Sequence, residues 1–341
     1  MIEAGRQLVD DQGRRLSFDA PVTAIIWSHS HACFALGDGR LCREHFACTV
    51  SEQTSHSGPI LCAALHPDGQ SIVTGGDDGK LVCTAPDQSQ LELANFGSKW
   101  VEHVIANAAS GVIVAGVAKQ AIVWINSGDI ESHRFTFPST VAGLALDEKG
   151  VRLAAAHYGG VTLHAVAEPA SKSKLNAWVG SHLSCTLSAN GRFLVSALQE
   201  TGLHGWIVAS GTNMAMSGYG AKTKSFSWNS ANRWLASSGS YDAVLWPFDG
   251  TKGPMGKYPL MLGIGQAVVT RVAFHPAEDI LLIGHADGAV ILCRVNDNAC
   301  FPVQEAANAA VTAMAWNATG SAFAWGLEDG RAGIIDFVSG R

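Results

Sequence analysis

A unit of three extended runs recurs eight times along the chain, and no other feature of the sequence limits the fold as tightly. Each unit opens with an alternating apolar run that usually ends in a bulky residue. A short polar turn, a second apolar run, a Gly/Asp-rich turn and a third alternating run follow. The copies begin at Val22, Ile60, Val101, Val141, Ser184, Ser225, Val269 and Val311. Their first runs end at Trp27, Leu65, Ala106, Leu146, Leu187, Trp228, Phe274 and Trp316, so successive spacings are 38, 41, 40, 41, 41, 46 and 42 residues. That period fits a four-stranded propeller blade, whereas leucine-rich and ankyrin repeats are shorter. Alternation of period two within each run argues against helical repeats such as HEAT. With 47% hydrophobic residues, only 15% charged and 37 glycines, the composition suits many short buried strands joined by tight turns.

Each blade needs a fourth, outer strand. Chain such as Ser89–Phe96 and Lys257–Gly263 can supply it after the third run, but the eighth copy is followed almost at once by Arg341. Arg14–Ala20 precedes the first copy and has strand character, so it is expected to complete the last blade and leave no open sheet edge. The expected fold is all-β: one closed propeller domain over residues 1–341, with eight four-stranded blades. Seven blades, with the faint first or third copy misread, is the alternative.

The blocks Leu65–Thr84, Phe274–Val295 and Phe226–Trp246 resemble WD40 repeats, and the resemblance extends over nearly the whole chain. It is strong in copies two, six and seven and weak in copies three to five. The Trp-Asp dipeptide of that family is absent. The tryptophan position of the third strand is met by Trp124 and Trp246, with Trp206 a third candidate, but it is Thr84 in copy two and Cys293 in copy seven. The family's Gly-His before the first strand survives as Ser55-His56, and its turn aspartate as Asp38, Asp78, Asp242, Asp287 and Asp329. These departures bear on the family's side-chain network and not on its fold.

A net charge of −6 lacks the basic stripe that nucleic acid or an anionic membrane would require. No apolar stretch reaches the ~18–20 residues of a membrane span, and the N-terminus has no apolar signal region. The eight cysteines lack the regular spacing of a disulfide framework, so free thiols in a reducing cytoplasm are expected. Neither Gly79-Lys80 nor Gly256-Lys257 is followed by the Ser or Thr of a P-loop, and neither GxSxG nor HExxH occurs. No catalytic residue and no required cofactor is expected.

One cluster is denser in chemistry. His29, His31, His45 and Cys48 fall on or beside turns on one face of the first blade, where four such ligands could hold zinc. That reading makes the chain a zinc-binding accessory protein of metal homeostasis. The bland reading treats cysteine as a small core residue and these histidines as incidental. By the WD40 resemblance, a protein or peptide partner binds the face where second-to-third-strand turns and inter-blade links converge. Candidates there are Trp100, Tyr158, His182, Tyr241, Arg271, His285 and Glu328. The expected function is a non-catalytic, cytoplasmic interaction scaffold, monomeric on its own. Zinc binding is the alternative, and an enzyme of unknown reaction comes third.

Overall fold

The computed structural model describes residues 7–126, 131–263 and 265–338. Apart from a short helix, α1 (Leu8–Gln12), the regular elements among the described residues are thirty strands. β1 is Gly13–Ser17. Copy one supplies β2 (Val22–Ser28), β3 (His31–Leu36), β4 (Arg40–Glu44) and β5 (Thr49–Thr54). Copy two supplies β6 (Ile60–Leu65), β7 (Ile72–Gly76), β8 (Lys80–Thr84) and β9 (Gln90–Asn95). Copy three gives β10 (His103–Asn107), β11 (Val112–Val117), β12 (Gln120–Trp124) and β13 (His133–Thr136). Copies four and five give β14 (Gly143–Leu146), β15 (Arg152–Ala165), β16 (Lys174–Leu187), β17 (Phe193–Leu198), β18 (Gly202–Ile207) and β19 (Asn213–Met216). Copy six gives β20 (Phe226–Trp228), β21 (Trp234–Ser237), β22 (Ala243–Pro247) and β23 (Leu260–Leu262). Copy seven gives β24 (Val269–Phe274), β25 (Ile280–His285), β26 (Val290–Arg294) and β27 (Cys300–Gln304), and copy eight β28 (Val311–Trp316), β29 (Ala322–Leu327) and β30 (Arg331–Asp336).

The strands join into seven sheets, six of four strands and one of six, which corrects the expected eight blades to seven. The missing boundary lies between copies four and five. β15 bends at Tyr158–Gly160, bringing the Val166 N–H to the Val151 carbonyl at 2.9 Å. β16 then pairs with β15 through Lys174–Ser181 and with β17 through His182–Leu187, so the pairing is unbroken across both copies. The first and third copies, the faint ones, each form a sheet of their own.

The chain divides into two compact units. One contains the chain up to Gly37, Leu41–Glu52 and everything from Thr223 on; the other contains Asp38–Arg40 and Gln53–Lys222. In the first, β1 pairs antiparallel with β30, from Gly13 opposite Ile335 to Ser17 opposite Arg331. Arg14 also reaches the first copy, donating to Glu44 Oε2 at 2.8 Å and to the His45 carbonyl at 2.9 Å.

Burial grades across each sheet. Second strands such as β7, β11 and β29 are buried at every position, while the outer strand β5 alternates half-buried and exposed residues. Second strands are therefore unbroken apolar runs, as expected for strands covered on both faces. Cores form between sequence neighbours: copies two and three, three and four, and four and five in one unit; six and seven, seven and eight, and eight and one in the other. Indole N–H groups tie these layers. Trp316 Nε1 donates to the Ala273 carbonyl at 3.1 Å and Trp27 Nε1 to the Ala315 carbonyl at 3.0 Å.

The cysteine expectation also changes. Cys293 and Cys300 form a disulfide, because the β26–β27 pairing sets them directly opposite each other, 4.1 Å apart at Cα. The other six form no disulfide. Among the described residues no helix is long and apolar enough to cross a membrane.

Candidate functional site

The turns that carry the candidate residues are rigid for local reasons. In copies one, two, seven and eight, the turn aspartate accepts the N–H two residues on, as Asp78 does from Lys80 at 3.1 Å and Asp287 from Ala289 at 3.0 Å. The next residue is glycine with φ between +78° and +93°. A Cβ there would collide with backbone, the Gly97 carbonyl for Gly79 and the Phe18 carbonyl for Gly330, so only glycine fits. Asp78 also accepts His56 Nδ1–H at 2.9 Å and the Ser57 N–H at 3.1 Å. Partial burial pushes its carboxyl up, but these bonds outweigh burial and hold it below the usual carboxylate range.

The seven face candidates divide into two groups. Trp100, Tyr158 and Tyr241 are 55, 64 and 60% exposed. Glu328 is exposed too, on the β29–β30 turn, where its N–H donates to the Ala310 carbonyl at 2.9 Å. Trp100 stands in the β9–β10 link beside a shallow hollow of ≈280 Å³ lined also by Lys99 and Glu102. His182 and His285, in contrast, are buried. His182 donates Nε2–H to the Trp178 carbonyl at 3.1 Å and accepts from the Ser196 hydroxyl at 2.8 Å. Burial lowers its pKa first of all, and the nearby His157 adds to this. His285 donates Nδ1–H to the Ala267 carbonyl at 2.9 Å. Arg271 is half-buried on β24, its guanidinium held by the Thr312 carbonyl at 2.6 Å and its own neighbour's, Thr270, at 2.9 Å. These three side chains face inward and brace backbone.

The chain matches the anaphase-promoting complex subunit 4 WD40 domain over residues 272–341 and the WD domain, G-beta repeat, over residues 48–83. The chain thus carries WD40-type repeats. No curated protein sequence matches it. Among solved structures, the computationally designed Ika8 protein shares the fold with a TM-score of 0.77. The two are 14% identical over 94% of this chain and 97% of that one.

A histidine just ahead of a copy's first apolar run occurs twice. His56 bonds Thr74 Oγ1 on the second strand through Nε2 at 2.8 Å, and His182 bonds Ser196 Oγ on the second strand of its own copy through Nδ1 at 2.8 Å. Ser181-His182 is thus a second relic of the family's Gly-His, overlooked in the sequence because copy five is so degenerate. The structure also adds exposed residues that the sequence did not single out. Trp178 and Val179, 37 and 78% exposed, sit in the β16 bulge beside Tyr158.

The proposed metal ligands come together only in part. His31 and His45 have ring centroids 5.6 Å apart. His45 and Cys48 close a tight turn, exchanging backbone hydrogen bonds at 2.9 and 3.2 Å. His45 Nδ1 accepts the Ala47 N–H at 3.3 Å, and His29 occupies a left-handed turn position at φ 52°. Among the described residues, no three His, Cys, Asp or Glu side chains are grouped closely enough to hold a metal ion.

Proposed function

We propose that this WD40-repeat protein is a non-catalytic platform that holds a protein or peptide partner on the turns carrying Trp100 and Tyr158. The observation that carries the reading is the exposure of two large aromatic side chains on backbone that is already fixed. The Tyr158 N–H donates to Ser139 Oγ at 2.9 Å and its carbonyl accepts from His157 at 2.9 Å. Aromatic anchors dominate interface energetics, and pre-ordered backbone lowers the ordering cost of association. Tyr241 and Glu328 are exposed on the corresponding kind of turn in the other unit and are offered as further contacts.

The test is affinity capture with the full-length protein, wild type against the double variant Trp100→Ala/Tyr158→Ala. Both positions are exposed, so the variant's melting temperature should stay unchanged. The expected result is a partner whose recovery falls about tenfold, the equivalent of ~1.4 kcal/mol. Equal recovery of every partner by both proteins would overturn the reading.

A further inference from the structure

Three consecutive turns of the unit containing copies two to five meet at one rim. The first is the bend of β15 at Tyr158–Gly160, where Tyr158 lies opposite Ser181 of β16. The second is the bulged stretch 178–180 of β16, and the third is the β17–β18 turn, which carries Glu200. Glycines allow the close approach. Gly159, Gly160 and Gly180 all have positive φ, and a Cβ on Gly180 would lie 3.1 and 3.3 Å from the Glu200 carboxylate oxygens.

The two exposed aromatics are held from beneath by buried histidines. His157 donates to the Tyr158 carbonyl at 2.9 Å and is bonded to Thr162 Oγ1 at 2.8 Å. His182 donates to the Trp178 carbonyl at 3.1 Å. The Trp178 indole stacks on His204, 3.7 Å between centroids and 15° from parallel, and His204 in turn meets Trp206 edge-on at 4.9 Å. One indole face is therefore covered, while the residue as a whole stays 37% exposed. Desolvation, with help from His182, pushes the His204 pKa down to about 4, so the imidazole beneath the indole is neutral at pH 7. Glu200 is exposed and makes no ion pair among the described residues. A fixed aromatic face beside an unpaired carboxylate is the environment that attracts an organic cation. The chain's net charge of −6 favours a basic partner as well.

We propose that this rim binds a basic segment of a protein partner, one arginine or lysine side chain lying on the outer face of Trp178 and pairing with Glu200, while Tyr158 and Val179 cover its stem. The proposal rests on the platform reading and specifies the partner's chemistry.

The test uses the full-length protein and a fluorescent peptide of alternating Arg and Ser, read by anisotropy, with the Glu/Ser peptide as control. The Arg peptide should bind and the Glu peptide should not. Binding should weaken about tenfold in Glu200→Gln and in Trp178→Ala, and also at ~1 M salt, where charges are screened beyond ~3 Å. Removing Trp178 uncovers His204, so Glu200→Gln, which costs the fold no hydrogen bond, carries the decision. Tyr258→Ala, in the other unit and 94% exposed, should leave peptide binding unchanged. Equal affinity of wild type and Glu200→Gln, or equal binding of the Glu peptide, overturns the proposal. If partner capture still depends on Trp100 in that case, the platform reading stands and only the basic-partner assignment falls. If the Arg peptide depends on Glu200 while partner capture ignores Trp100 and Tyr158, this rim is supported and the wider reading falls.

Discussion

Buried histidines are the structural pins of this protein. His56, His157 and His182 each engage both ring nitrogens; His56 and His182 bond a hydroxyl on a neighbouring strand, and His157 bonds the Thr162 hydroxyl across the bend of β15. Burial lowers the pKa of His182 and of its neighbour His204, which couples stability to pH. His204 shows the sign most directly. Its folded pKa of about 4 lies below the ordinary histidine value of 6.5, so the unfolded chain takes up a proton that the folded chain refuses. The stability it contributes is whole above the unfolded value and is lost as pH falls from there towards 4. Melting temperature should therefore drop between pH ~7 and ~4.5, and His204→Phe, which keeps a ring under Trp178, should flatten part of that drop. Equal pH slopes in both proteins would refute the assignment. At this scale the sequence singles out histidines well but not their direction. His182 and His285 read as rim residues because a polar ring beside a turn looks the same whether it points out or in. Packing of the second strands turned both inward.

Among elements, the second strands are the most constrained, because they are covered on both faces. Gly75, Gly284 and Gly326 sit where a valine of the next copy presses in. A Cβ on Gly75 would lie 2.5 Å from Val101 Cγ1, one on Gly284 2.6 Å from Val311 Cγ1, and one on Gly326 against Val22. Opposite Gly284 and Gly326, the first strands bulge by one residue. The bulged Thr270 and Thr312 donate across to the Val311 carbonyl at 2.7 Å and the Val22 carbonyl at 2.5 Å. Gly326→Ala should therefore cost ~1–3 kcal/mol, since Val22 is fully buried and cannot retreat. Denaturant titration checks this, and a loss under ~0.5 kcal/mol would show that the interface yields. The first strands were legible to within a residue or so: runs ending at Leu65, Leu146, Leu187, Trp228, Phe274 and Trp316 end as strands at those residues. The fusion of copies four and five was not legible, because each copy has its own full pattern and only the hydrogen bonds of β16 join them. The Cys293–Cys300 bridge was missed for a similar reason: seven residues of separation become a cross-strand pair only once the β26–β27 register is known.

At the scale of the molecule, stability is shared between neighbours. Each core draws on adjacent copies, so no copy buries both of its faces alone. An isolated second copy, Ile60–Phe96, should therefore be unfolded despite being a close match to the repeat pattern, with a far-UV circular dichroism spectrum lacking strand signal. A cooperatively folded fragment would show that one sheet suffices.

The sequence by itself determined the strand-rich repeat, its period, the Asp-Gly turns and the WD40 character. These depend on alternation and turn chemistry within a few residues, which a linear chain displays directly. Only the tertiary structure decided the sheet count, the disulfide, the inward histidines and the rim of Tyr158, Trp178 and Glu200. Each of these depends on which distant segments are hydrogen-bonded together and on which side a ring is packed, and neither is encoded in any one stretch of chain.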